Sequence, residues 1–223
     1  MVFLSDIEVA YRSQQSYLEL SSHIVERDYL RQIQLSTSHI EVISGIRRCG
    51  KSTLLKQLAK KYDHNIAYFN FEDTRILGFE VSDFQKLERV MPPNAAAYFF
   101  DEIQNIPSWE VFIRQLHDQG KKVFITGSNA SLLSKELGTR LTGRHLRHEL
   151  FPFSFLEFLA FQKTAPNKEA IDFYIQNGGF PEYLLNQNPE ILQTLLKDIV
   201  LRDVAIRYGI KNTKALMDIT LFL

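Results

Sequence analysis

Four short apolar bursts divide the middle of the chain: 39–44, 66–71, 95–100 and 123–126. Amphipathic stretches of helical length lie between them, over 51–62, 80–90 and 109–119. A fifth burst, 146–151, runs up to Pro152. Strand-length bursts spaced by helix-length stretches predict βαβ units and a mostly parallel sheet. Upstream, residues 7–33 place apolar positions at mostly helical spacing (Ile7, Ala10, Tyr11, then Ile24, Tyr29, Leu30, Ile33). That spacing predicts two short helices leading into the first strand.

After Pro152 strand bursts stop and helical periodicity takes over, at 154–163, 168–177, roughly 189–207 and 212–223. In the third stretch Ile191, Leu192, Leu195, Leu196, Ile199 and Val200 share a face. Pro166, Gly178-Gly179, Pro181 and Pro189 mark boundaries. The division expected is a helical lead-in at 1–34, an α/β core at 35–152 and a helical lid at 153–223. The last residues, Ala215 to Leu223, stop inside an apolar helical pattern without a cap. An apolar stripe normally packs against something, which predicts a truncated chain or a helix completed by a further C-terminal domain.

Composition narrows the classes. The chain has 223 residues, 45% of them apolar, enough for a substantial core. Lys+Arg and Asp+Glu both total 26, so net charge gives no support to a general polyanion binder, while a local patch stays open. A single cysteine, Cys49, excludes an intramolecular disulfide framework. The start, MVFLSD, does not have the pattern expected of a signal peptide. The longest apolar run, Ala95–Phe100, is far short of the ~18 residues of a membrane helix. No membrane association and a cytoplasmic location are the expectations.

Gly45-Ile46-Arg47-Arg48-Cys49-Gly50-Lys51-Ser52 matches G-x-x-x-x-G-K-[ST], between a predicted strand and a predicted helix. Glycines let the chain fold back so that successive N–H groups face phosphate oxygens, and the following helix adds its positive N-terminal end. Lys51 is expected to reach the β- and γ-phosphates, and the Ser52 hydroxyl to ligate Mg²⁺. Gly45, Arg48, Cys49, Gly50, Lys51, Ser52 and Thr53 form the expected nucleotide-binding set. The buried strand 95–100 leads into Asp101-Glu102, and ligands in open α/β sheets collect at such strand ends. Asp101 is the expected Mg²⁺ acid, and Glu102 the group that orients or deprotonates an attacking water. The strand 123–126 runs into Gly127-Ser128-Asn129, where Ser128 or Asn129 could bond the water or the γ-phosphate.

These segments also carry a resemblance. GIRRCGKSTLL, DEIQNIPSWE, GKKVFITGSN, LGTRLTGRHLRHELFPFSFLEF, GGFPEYLL and DIVLRDVAIRYGI cover most of residues 41–210. In them the sequence resembles the AAA+-related P-loop ATPases of bacteria and archaea that carry an uncharacterised C-terminal domain. The resemblance implies a P-loop NTPase fold, AAA+/ASCE-like, followed by a helical lid. It puts loop, Mg²⁺-acid and sensor roles on Gly45–Thr53, Asp101-Glu102 and Ser128-Asn129. The family's full chains run well beyond residue 223, in keeping with the abrupt end. It also points to the segment holding Arg140 and Arg144 for a guanidinium that offsets charge on the transferring phosphoryl group. Arg202 and Arg207 are weaker candidates. For Arg47 and Arg48, phosphate, a neighbouring subunit and solvent all stay open.

Other features take blander readings. His145 and His148 are expected to flank a strand rather than bind metal. Cys49, before the loop lysine at a helix N-terminus, sits where a thiolate is favoured. Residues 178–182 read as a lid turn, and Phe71-Glu72-Asp73 takes no role. The function expected is Mg²⁺-dependent ATP binding and hydrolysis, coupled to a C-terminal domain or a partner, either protein or nucleic acid, with a homo-oligomer open. A non-hydrolysing switch or scaffold and a small-molecule phosphotransferase are the alternatives. The absence of an N-K-x-D motif tilts the nucleotide to ATP over GTP.

Overall fold

The computed structural model describes residues 1–19, 25–35, 37–62, 65–128, 141–205 and 208–222. Five strands, β1 (Ile40–Gly45), β2 (Ile66–Asn70), β3 (Ala97–Asp101), β4 (Val123–Ser128) and β5 (His145–Leu150), form one sheet in the order β2-β3-β4-β1-β5. Every pairing is parallel. The mostly parallel sheet flanked by helices is therefore the architecture found, with each strand within two residues of its apolar burst.

Strand side chains alternate between two cores. Val42, Phe69, Tyr98, Phe100 and Ile125 face one side with α1 (Leu4–Glu19), α3 (Phe84–Val90) and α4 (Trp109–Asp118). Ile43, Tyr68, Phe99 and Phe124 face the other, against Leu54, Leu55 and Leu58 of α2 (Lys51–Ala59). Both faces are covered, which is why the strands read as continuous apolar runs.

The N-terminal segment departs from expectation. One sixteen-residue helix, α1, and a 3-10 turn at Asp28–Arg31 stand where two short helices were predicted. The polar residues after Tyr11 continue the helix and are used against β2, an edge strand with open backbone groups. Gln14 Nε2 donates to the Asn70 carbonyl (3.1 Å) and its Oε1 accepts from the Asn70 amide (2.8 Å). Gln15 Nε2 donates to the Tyr68 carbonyl at 2.9 Å.

Beyond β5 come α5 (Phe155–Gln162), α6 (Lys168–Asn177), α7 (Pro181–Asn186) and α8 (Pro189–Asp198). The last runs on into π-helical turns over Ile199–Ala205, followed by α9 (Thr213–Phe222). The turn expected at 178–182 is present over 178–180, and helix α7 begins within that stretch at Pro181. A third apolar cluster of Phe153, Phe158, Leu159, Ala170 and Leu184 holds the lid's base. Among the described residues no helix is long and apolar enough to cross a membrane.

Candidate nucleotide site

The phosphate loop begins where β1 ends. Gly45 lies beside Leu150 of β5 and Ser128 of β4 in the sheet register. A Cβ at Gly45 would come within 2.3 Å of the Leu150 carbonyl oxygen, so no larger residue fits without moving the strand. Arg48 and Gly50 both take left-handed backbone (φ 59° and 102°), turning the loop back before α2 starts at Lys51. The first-turn N–H groups of α2 have no intrahelical acceptor by construction, and Gly50 offers no side-chain cap.

Across the loop, β3 delivers the acids. Asp101 is fully buried; Tyr68 Oη donates to its Oδ2 at 3.1 Å and the Thr126 hydroxyl donates to Oδ1. Burial and the negative Asp101 push the Tyr68 phenol far up, so it stays a donor. Thr126 Oγ1 also accepts from the Glu102 amide at 3.1 Å, so one hydroxyl of β4 touches both acidic residues. Glu102 adopts left-handed backbone (φ 52°), and its Oε2 accepts from Gln104 Nε2 at 2.5 Å. Its Oε1 lies 3.8 Å from Lys51 Nζ, which donates to the Ile46 carbonyl at 3.2 Å. Burial raises the Glu102 carboxyl above its ordinary range; Lys51 and Gln104 oppose that, while Asp101 and Glu72 add to it.

Of these groups, Lys51 and Glu102 line a cavity of about 670 Å³ between the sheet's carboxyl end and the lid. Lys51, Ser52, Thr53 and Glu102 form a polar floor. Val25, Phe153, Phe161, Leu185 and Leu195 add apolar wall. The loop arginines reach the lid: Arg47 Nε lies 3.3 Å from Asp203 Oδ1, and Arg48 pairs with Glu182 of α7.

Residues 37–159 match the family model described as an AAA domain. The chain belongs to the AAA domain family. It is 36% identical over 231 aligned positions to an uncharacterised protein of Methanocaldococcus jannaschii, covering 96% of this chain and 50% of the relative. A second uncharacterised relative, from Haemophilus influenzae, is 37% identical over 225 positions, covering 92% of this chain and 56% of its own. The chain thus spans about half the length of these curated relatives. Among solved structures, the S. cerevisiae Hsp104–ADP complex superposes with a TM-score of 0.56 at 12% identity, over 96% of this chain and 40% of that one. That likeness shows the fold alone. The P-loop AAA+-like ATPase module implied by the motifs is the module present, and its fold is one that supports nucleotide binding.

Within this AAA domain the expected residues are sorted by position. Gly50, Lys51, Ser52, Thr53 and Glu102 line one cavity, whereas Gly45 at the end of β1 and the buried Asp101 beside Glu102 do not line it. Arg48 lines the cavity but is held by Glu182. Cys49 corrects the thiolate expectation. Its side chain is wholly buried, and burial raises the thiol despite the nearby Lys51 and Arg27 charges. Arg144 lies just before β5, at the opposite end of the sheet from the loop, with Nε 3.6 Å from Asp118 Oδ1. A strand length, roughly 20 Å, separates it from its own chain's site, so a role there in cis is set aside. Asn129, Arg140 and Arg207 lie outside the described residues. His148 Nε2 meets the buried Glu41 at 2.6 Å, and His145 Nδ1 meets the Leu141 carbonyl at 2.9 Å.

The weaker candidate Arg202 does line the cavity, while sequence reasoning missed Glu182, Asp198 and Arg27 as part of its wall. Each of these three reads along the chain as an ordinary surface charge. The one available signal was the proline of GGFPEYLL at position 181, a favoured first residue of a helix.

Proposed function

We propose that this AAA domain binds ATP with Mg²⁺, hydrolyses it by in-line attack of water, and passes nucleotide state to its lid. The observation that carries the reading is the juxtaposition of the loop lysine, an open helix N-terminus and the raised Glu102 carboxyl around one cavity. The polar floor suits a triphosphate and the apolar wall a base. Ser52 on the cavity wall and the Asp101 carboxylate behind it offer hard oxygen donors, the chemistry Mg²⁺ takes. The bound ion would neutralise phosphate charge. Asp101 would hold it through its water shell, oriented by Tyr68 and Thr126. Glu102, once ionised and freed from Lys51 by incoming phosphate, would accept the proton of the attacking water.

The coupling follows from the loop's arginines. Arg47 and Arg48 are the same residues that hold Asp203 and Glu182 of the lid, so a phosphate entering the loop competes with lid carboxylates for them. In the relatives' longer chains that motion has a further region to act on, and a protein or nucleic acid is the partner class proposed there. Arg144 serves only a neighbouring copy's site in this reading, in a homo-oligomer.

The test is phosphate release by wild type, Lys51→Ala and Glu102→Gln, with ATP affinity measured in parallel. Lys51→Ala is expected to lose binding, and Glu102→Gln to keep binding while losing turnover. Turnover that rises with chain concentration and falls in Arg144→Ala supports the oligomer. Tight binding with background turnover in wild type and Glu102→Gln alike overturns the hydrolase in favour of a switch. Transfer that requires an acceptor overturns it in favour of a phosphotransferase.

A further inference from the structure

Arg27 sits in the irregular segment between α1 and β1, carries no motif, and is 2% exposed. A guanidinium this deep must have its donors met. Its Nη1 donates to the Cys49 carbonyl at 2.6 Å, Nη2 to the Phe151 carbonyl at 2.7 Å, and Nε to Glu157 Oε1 at 2.8 Å. Its charge is balanced by Glu157, which also accepts from the Asp28 amide (2.8 Å) and the Ser154 amide (2.8 Å). The Phe153 ring lies under the guanidinium at 5.1 Å. One side chain therefore joins the N-terminal segment, the phosphate loop, the end of β5 and the first lid helix.

The bond to Cys49 bears on the loop's function. In a trans peptide the carbonyl and the next amide point in opposite directions. Fixing the Cys49 carbonyl against Arg27 therefore turns the Gly50 N–H to the side away from Arg27. The following residue is a glycine in left-handed backbone, the type with least resistance to rotation of that plane. A Cβ at Gly50 would come within 2.7 Å of Arg27 Nη1, so the glycine and the arginine are fitted to each other.

We propose that Arg27 is a positioning residue that locks the Cys49–Gly50 peptide plane with its N–H available to phosphate, and ties that plane to the lid through Glu157. It touches no reacting atom. The inference rests on the nucleotide reading above and adds to it a residue outside the loop motif. Lysine conserves the charge but replaces a three-way fork with a single ammonium, which cannot serve Cys49, Phe151 and Glu157 in the same geometry.

Affinities for ATP and for adenosine, measured calorimetrically on wild type, Lys51→Ala, Arg27→Lys and Arg27→Met, test this. They are combined with ¹⁵N-glycine spectra of the Gly50 amide, which are sparse because the chain has 10 glycines. Arg27→Lys and Arg27→Met are expected to lose ATP affinity by roughly tenfold or more while adenosine affinity holds, one charge-assisted phosphate contact being lost. The Gly50 amide is expected to shift with ATP in wild type and much less in Arg27→Lys. If the Met variant does not fold, the Lys variant decides alone. An Arg27→Lys chain with wild-type ATP affinity and Gly50 shift overturns the proposal, as does an equal loss for adenosine, which marks a merely structural bolt. Wild type that binds ATP no better than adenosine removes the nucleotide reading itself. That result is distinct from a failure of Arg27 alone, in which Lys51→Ala still abolishes the preference for ATP.

Discussion

The sheet and the lid are held by different forces. Around the sheet, Phe69, Phe99, Phe100 and Phe124 are fully buried and α2 packs three leucines against the strands. In the lid, Leu156, Ile175 and Leu185 stay largely exposed, and α9 has no buried residue. What joins lid to loop is charge, and its strength is graded. Arg27–Glu157 at the base is 3%/4% exposed, Arg47–Asp203 is 36%/11%, and Arg48–Glu182 at the mouth is 61%/35%. Buried pairs are costly to break, whereas exposed ones are worth little. The core is thus held by packing, and the lid by ion pairs whose exposure rises from base to mouth.

The largest effect should come from the core's chemistry. Glu102→Gln is expected to lower turnover by ~10²–10⁴-fold with ATP affinity kept. Wild-type turnover should fall as pH drops through the raised Glu102 pKa, because the base must be ionised, and single-turnover rates against pH measure it.

Packing comes next. Phe99, stacked on Phe124 at 4.7 Å, should cost ~3–5 kcal/mol as Phe99→Ala in urea unfolding. The fully buried Glu41 of β1 sharpens the contrast through pH. Burial alone would raise its carboxyl, but bonds from His148, Lys122 and Thr37 more than offset this and hold it at about 2. A depressed carboxyl stabilises the fold above its ordinary pKa of 4.5 and loses that contribution as pH falls toward 2. The loss should amount to about 3 kcal/mol across that window, and Glu41→Gln should flatten the acid limb of a stability–pH curve.

The smallest effect belongs to the mouth. Glu182→Gln should change global stability by no more than about 1 kcal/mol. Amide exchange over 181–205 should quicken while the strands stay protected. Equal quickening in β1 and β3 would show that lid and sheet open as one unit.

The same contrast explains what the sequence could disclose. Strands buried on both faces announce themselves as apolar runs, and the loop's glycines and lysine are fixed by local backbone needs, so both were legible. The order of strands was not, because each parallel neighbour is reached through a crossover that leaves no local mark. The roles of Gln14 and Gln15 left no local mark either, because their partners on β2 lie more than fifty residues away. Arg27 and Glu182 acquire meaning from ion-pair partners more than a hundred positions away, Glu157 and Arg48. Arg144 failed as a site residue of its own chain for a topological reason: it precedes a strand that runs parallel to β1, so it starts at the wrong end.

The central place of β1 also sets a timetable for synthesis. Its two hydrogen-bonded neighbours are β4 and β5, the last strands of the sheet to be made, so a nascent chain on the ribosome carries the phosphate loop before β1 has either neighbour to pair with. The Gly45–Leu150 pairing beside the loop can form only after Leu150 has left the exit tunnel, and until then that edge of β1 stays open.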